Sequence, residues 1–282
     1  MSDSPELFHG LEQQDGIRVD YHVHTSFSFD CQTSPEGVFE RATRAGIGCL
    51  CVTDHDTIEG ALALRRIRPP EIEIVVGCEF TACDGSHVIG LGLTEMIFEK
   101  RVPELVKRIK EQGGAVLLPH PFRRSNGIFR IEMRRSNRFV EELLSSTDMV
   151  ECFNGGDSYD NNRRNYAFVV EHGVPAVAGS DAHTEAAVGS VFVEYTSENV
   201  VDGVSPRRVF FPAQRPMSER RVKRAVMEFY HEHKTRMPAL VGAGYRIAHK
   251  RLAMNRRRRA AIAPSLQYEF EGTESRGGSR DG

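Results

Sequence analysis

Within its 282 residues the chain lacks any uninterrupted apolar run approaching the roughly 18–20 residues of a membrane-spanning helix, so no membrane span is expected. Residues 1–10 include acidic side chains and lack the apolar core of a secretory signal peptide. The six cysteines (Cys31, Cys49, Cys51, Cys78, Cys83 and Cys152) lack zinc-ribbon spacing, and four lie in or beside apolar runs. That argues against a disulfide framework and for buried, reduced thiols in a cytoplasmic protein. No internal repeat is found, which argues against a solenoid or propeller. Net charge is scarce as well, at −2 from 37 Lys+Arg and 39 Asp+Glu. The balance hides an asymmetry: residues 205–260 hold 16 basic and 3 acidic residues, the remainder 21 and 36. A basic segment on an acidic body points to self-docking or to an acidic partner.

What is present is ordinary globular composition, 40% hydrophobic and 27% charged, on a chain long enough for a substantial core. After a polar leader over residues 1–16, apolar strand-like runs alternate with amphipathic segments. Strands are expected at 17–24, 47–53, 72–80, 86–91, 115–118, 149–153, 175–178 and 190–195. Helices are expected from Ser34, a cap followed by Pro35 and stopped by Gly46, and at 58–67, 103–112, 139–144 and 163–171. This rhythm implies parallel βαβ units, in which the loops after the strands form the active face. Beyond residue 205 the pattern changes. Val222, Ala225, Val226, Phe229 and Tyr230 share one helical face, Pro238 ends it, and a second helical stretch covers 240–253. The basic run 256–259 follows, then a tail over 263–282 with a Gly/Ser/charge-rich end, which is expected to be disordered.

Chemistry enters with His22 and His24. Side chains at i and i+2 of a strand share a face, so the two imidazoles aim at one point, half of a metal shell; the plain alternative is an edge strand with two exposed histidines. Further candidates recur near strand ends: His55, Glu79, His87, His120, Asp181 and His183, with Asp30 in the loop after the first strand. Eight or nine nitrogen and oxygen donors exceed what one ion takes. They suit two or three ions with bridging carboxylates, and the donor types suit zinc, manganese or iron.

The motifs HVHTS at 22–26, TDHDT at 53–57, GCE at 77–79, HVIGL at 87–91, PHP at 119–121 and GSDAH at 179–183 together resemble the PHP (polymerase and histidinol phosphatase) family of metal-dependent phosphoesterases. The resemblance covers about residues 17–195. It implies an α/β fold, a distorted seven-stranded (β/α) TIM-like barrel over 17–204, here with a basic, mostly helical C-terminal extension over 205–262. It also implies one ion on His22, His24, Glu79 and Asp181 and a second on Glu79, His87 and His120. A third would sit on His55 and His183, with Asp30 where some members carry histidine.

The expected activity is hydrolysis of a phosphate ester by water made more acidic by bound cations. A small-molecule phosphomonoester is the favoured substrate; a nuclease or nucleotide phosphoesterase is the rival, supported by the basic extension, and a non-catalytic metal-retaining module comes last. Arg123 and Arg124 suit a substrate phosphate or a solvated loop equally well. Asn154 either lines the pocket or forms a turn. Asp54 and Asp56 are expected to orient His55 or to cap the following helix, with the orienting role favoured for Asp54, while Thr25 and Ser28 stabilise their loop. His9, His172, His231, His233 and His249 read as ordinary surface or helix-end residues.

Overall fold

A computed structural model describes residues 16–67, 71–130, 133–195, 207–211 and 266–270. Ten strands form one sheet among these residues: β1 Arg18–Val23, β2 Cys49–Val52, β3 Glu73–Thr81, β4 His87–Leu91, β5 Ala115–Leu118, β6 Met149–Asn154, β7 Ala176–Gly179, β8 Phe192–Tyr195, β9 Arg207–Phe211 and β10 Leu266–Phe270. Helices α1 Pro35–Ala45, α2 Glu59–Ile67, α3 Val102–Glu111, α4 Asn137–Leu144 and α5 Tyr159–His172 alternate with them. The sheet order is β10-β9-β8-β1-β2-β3-β4-β5-β6-β7, and β1–β8 make a nearly closed mixed barrel.

Local signals act where they were expected. The Ser34 hydroxyl accepts from Gly37 N at 3.1 Å to start α1, and Gly46, at φ 67°, ends it in the left-handed region. Ser136 and Ser158 cap α4 and α5, so both helices begin earlier than their apolar patterns suggest. Among the described residues no helix is long and apolar enough to cross a membrane.

One expectation is corrected. The barrel strands are not all parallel: β4 runs antiparallel to both β3 and β5, and β8 antiparallel to β1. The β3–β4 link is the short turn around Asp84 and Gly85, the latter at φ 77°. A parallel crossover needs about a dozen residues or more, so a link this short can only make a hairpin. The reversal has a consequence for the site. It puts His87, at the start of β4, on the same rim as the carboxyl ends of the parallel strands.

Closure occurs where β7 meets β1. Asp181 N donates to His22 O at 2.8 Å, and His24 N donates to Ala182 O at 3.1 Å. Gly179 permits this approach, because a Cβ there would collide with the Cβ of His22 and stand 2.7 Å from its backbone nitrogen. The buried Asp20 carboxylate ties the seam, accepting from Ser180 N at 2.8 Å and Gly189 N at 3.0 Å. Burial pushes its carboxyl up to about 6, against those donors.

Past the barrel, β9 pairs antiparallel with β8, and β10 lies beside β9. Thus 207–211 adds a strand to the sheet at the start of the segment read as an extension. Leu266–Phe270 is a strand inside the segment read as disordered, and its alternation of Leu266, Tyr268 and Phe270 with Gln267 and Glu269 has the period of two that a strand requires. The helices expected at 218–253 and the run 256–259 lie outside the described residues.

Candidate metal centre

The nine candidate ligands come from six strand ends and their loops, and the barrel brings them to one rim. His22 and His24 project from β1, Asp30 follows it, His55 follows β2, and Glu79 lies on β3. His120 follows β5, and Asp181 and His183 follow β7. His22, His24, Glu79, His87, His120 and Asp181 are buried. His120 and Asp181 have φ of 31° and 49°, a left-handed backbone that is costly outside glycine and collects at functional sites.

Glu79 is the centre of the arrangement. Its Oε1 stands 2.7 Å from His87 Nδ1 and 2.9 Å from His120 Nε2. Its Oε2 stands 3.3 Å from His22 Nε2, His24 Nε2 and His55 Nδ1. Asp181 Oδ1 lies 3.6 Å from His22 Nε2 and 3.4 Å from both His24 Nε2 and His183 Nδ1. Asp30 Oδ2 lies 2.9 Å from His183 Nε2 and 3.7 Å from His55 Nε2. Three overlapping sets offer donor atoms within 4.8 Å of one another: His22, His24 and Glu79; His55, Glu79 and His87; His24, His55 and His183. His55 and His24 are therefore each shared between sets, a closer weave than the ligand groups taken from the motifs.

These residues fit divalent cations. The donors are imidazole and carboxylate without thiolate, the set that zinc, manganese and iron accept. His22 Nε2 and His24 Nε2 approach to 3.0 Å, converging as ligands of one ion do. Among the described residues, the buried Asp30 Oδ1, His55 Nδ1 and His120 Nδ1 make no hydrogen bond. The electrostatics also call for positive charge. Burial opposes a charged His24, yet Asp181 and Glu79 hold its pKa up to about 9. Burial likewise opposes the Glu79 carboxylate, but His87, His22 and His55 outweigh it and keep the group well below the usual range.

Around these donors lies a layer that orients them. Asp54 Oδ1 accepts from Thr25 N at 2.7 Å and Ser28 Oγ at 2.8 Å, and Asp54 Oδ2 accepts from Thr25 Oγ1 at 2.7 Å. Ser28 Oγ meets His24 Nδ1 at 3.0 Å and accepts from His55 N at 2.9 Å. Asp54 thus reaches His24 and His55 through Ser28, a longer route than direct orientation of His55. Glu151, fully buried on β6, stands 3.2 Å from His22 Nδ1 and accepts from His120 N at 2.7 Å and Asn154 Nδ2 at 2.8 Å. Sequence reasoning gave Glu151 and Asp20 no role. Their signal is present all the same: each is a carboxylate inside a strand, with Val19 and Tyr21 on either side of Asp20 and Val150 and Cys152 on either side of Glu151.

Arg123 and Asn154 are brought together, and Arg123 pairs with Asp181. Arg123 Nη2 donates to Asp181 Oδ2 at 2.8 Å and Asn154 Oδ1 at 2.7 Å, while its Nε lies 3.7 Å from Asp157 Oδ2. Burial opposes the Asp181 carboxylate, but Arg123 and His22 hold it well below the ordinary range. Arg124 is exposed on the same loop.

A family model, the PHP domain, matches residues 20–234. The chain belongs to the PHP domain family. The match runs past residue 204, so β9 falls within it. An uncharacterized protein of Methanocaldococcus jannaschii is 32% identical over 118 residues, 38% of this chain and 68% of that one. A second from the same organism is 28% identical over 199 residues, 68% of this chain and 76% of its own. The phosphoribosyl 1,2-cyclic phosphate 1,2-diphosphodiesterase of Eggerthella lenta is 35% identical over 82 residues, 27% of this chain and 31% of that enzyme.

Among solved structures, PsfC from Pseudomonas syringae has a similar fold, at TM-score 0.56 and 17% identity, over 76% of this chain and 100% of that one. A two-domain protein of Bacteroides vulgatus containing a predicted PHP-like metal-dependent phosphoesterase gives TM-score 0.54 and 15% identity, over 70% and 67%. Endonuclease Q, solved with a 27-mer duplex substrate bearing an abasic lesion, gives TM-score 0.50 and 15% identity, over 66% and 54%.

Proposed function

We propose that this PHP domain hydrolyses a small-molecule phosphomonoester at a centre of two or three divalent ions of zinc, manganese or iron. The observation that carries the reading is Glu79, one buried carboxylate whose two oxygens face five imidazoles. The Eggerthella lenta relative, a phosphodiesterase, supports phosphoester chemistry.

His22, His24, Glu79 and Asp181 would hold one ion, and Glu79, His87 and His120 a second. His55, His183 and Asp30 would hold a third, with His24 close by. Bound there, the ions would neutralise phosphoryl oxygens and bring the pKa of water toward about 7. The chain's own groups do the positioning. Glu151 and Ser28 fix the His22 and His24 rings through their Nδ1 atoms, which turns both Nε2 atoms toward Glu79. Arg123 occupies Asp181 Oδ2 and leaves Oδ1 facing the histidines. Arg123, Arg124 and Asn154 remain the proposed substrate contacts, with Arg123 meeting phosphate only alongside Asp181. Hydrolysis forms a P–O bond from water, breaks the ester P–O bond and returns one proton to the departing alkoxide.

Elemental analysis of the purified chain is expected to find at least two transition-metal ions. Chelation should abolish hydrolysis of an aryl phosphate, and added manganese should restore it. One ion or none after gentle reconstitution would sink the multinuclear reading.

A nucleic-acid substrate is the second reading, favoured by the basic segment 205–260 and by the duplex-bound Endonuclease Q neighbour. The run 256–259 lies beyond the predicted apolar helix face and has no packing reason to be basic. Removing residues 256–282 should then weaken oligonucleotide binding and flatten its log–log salt dependence by roughly 3–4. Unchanged affinity after truncation, or no affinity in the full chain at low salt, would remove this reading.

A further inference from the structure

Strand β6 carries an irregularity that changes which side chains share a face. Glu151 pairs with Val177 and Phe153 with Ala178, so β6 uses one more residue than β7 there, and Cys152 is the extra one. In a regular strand, residues three apart point to opposite faces. The bulge shifts that phase. Glu151 and Asn154 turn to the same side, where Asn154 Nδ2 donates to Glu151 Oε2 at 2.8 Å.

The re-aimed carboxylate is fully buried, and three arms leave it. Its Oε1 stands 3.2 Å from His22 Nδ1. Its Oε2 accepts from the backbone N of His120 at 2.7 Å, at a residue held at a left-handed φ of 31°. The third arm runs through Asn154, whose Oδ1 accepts from Arg123 Nη2 at 2.7 Å, and the same Nη2 donates to Asp181 Oδ2 at 2.8 Å. Gly179 on β7 makes room for this junction, since a Cβ there would stand 2.9 Å from Glu151 Oε1. Burying a carboxylate costs free energy that an apolar side chain on β6 would not. All three arms end on candidate ligands.

We infer that Glu151 is a positioning residue common to two ions, the one proposed on His22, His24, Glu79 and Asp181 and the one proposed on Glu79, His87 and His120. This rests on the multi-ion reading above and assigns one side chain to the assembly of both sites. An ionised carboxylate only accepts, so the neutral His22 ring facing it carries its proton on Nδ1 and keeps the Nε2 lone pair for an ion. His22 Nε2 is the atom that converges on His24 Nε2 at 3.0 Å. A glutamine of the same size cannot serve every arm. With its amide nitrogen toward His22, the ring takes the opposite tautomer and places N–H on Nε2. With that nitrogen toward His120, it meets two further donors, His120 N and Asn154 Nδ2.

The test withdraws ions from the purified full-length protein with a graded chelator and counts those retained by elemental analysis. Glu151→Gln should lower the affinity for both ions about 10–100-fold. Denaturant unfolding of the same variant separates the alternative: lowered stability with both affinities at the wild-type value means a purely structural carboxylate and overturns the proposal. Loss of one ion alone overturns the shared role. Nitrogen-15 NMR of the zinc-loaded wild type reads the His22 ring directly and needs no variant to fold. A proton on Nδ1 is the expected result, and a proton on Nε2 overturns the assignment. A wild type that keeps fewer than two ions after reconstitution sinks the multi-ion reading, and this one with it.

Discussion

Replacing Glu79 with Gln is expected to lower kcat/KM on a phosphate ester by about 10³-fold, roughly 4 kcal/mol of transition-state stabilisation. Gln keeps the size of the side chain and removes its charge. Both Glu79 oxygens are engaged, one toward His87 and His120 and the other toward His22, His24 and His55. Losing that charge weakens every set of donors it joins, so metal content should fall together with turnover. His87→Ala and His55→Ala each remove one donor and should cost less, about 10–100-fold. The comparison is made by steady-state kinetics and elemental analysis on the three variants. Near wild-type turnover and metal content in Glu79→Gln would show that this carboxylate bridges nothing.

Asp54→Ala should be the most damaging substitution for stability among the orienting residues. The wild-type carboxylate accepts from Thr25 N, Thr25 Oγ1 and Ser28 Oγ, and all three residues are buried. Alanine leaves three buried donors without an acceptor, at about 1–3 kcal/mol each before relaxation. The expected loss is on the order of 3–5 kcal/mol, a large share of a typical domain's stability. Metal affinity should drop about 10–100-fold as well, because Ser28 then no longer fixes the His24 ring. Denaturant unfolding of the metal-free chain isolates the first effect, and metal titration reads the second. A loss below about 1 kcal/mol would mean that water replaces the carboxylate within the loop.

The α2 amino end explains why this position is so intolerant. A Cβ on Gly60 would run into Asp54 Oδ2 and Thr25 Oγ1, so the helix packs directly on the carboxylate. Glycine at 60 and aspartate at 54 are one packing decision, since the helix approaches closely only where no side chain intervenes.

How much of this was legible before the fold was known follows from the range of each interaction. The pairing of His22 with His24 depends on the two-residue period of a strand, and the Ser34 cap and Gly46 stop depend on hydrogen bonds within a single turn. The order of motifs then placed eight donors on one rim, because each lies near or beyond the carboxyl end of a strand, and His87 joins them through the reversal of β4. The direction of β4 was also readable, from the brevity of its turn, but the alternation of strands and helices suggested a parallel sheet instead. All of these are local properties, written within a few residues of chain.

The tertiary structure alone decided the rest. His22 meets Glu79 across 57 residues and Glu151 across 129, contacts made only when the sheet is assembled and curved, with β7 closing against β1 through the gap that Gly179 leaves. Arg123 was open in sequence to a phosphate role, and the fold turns its guanidinium onto Asp181 and Asn154. Phe29 stacks its ring on His55, a contact that exists only once the loops after β1 and β2 meet on the rim. Strand period and helix caps act over two to four residues of the chain. Which face meets which across a barrel is set by register, curvature and closure, which depend on all the strands at once.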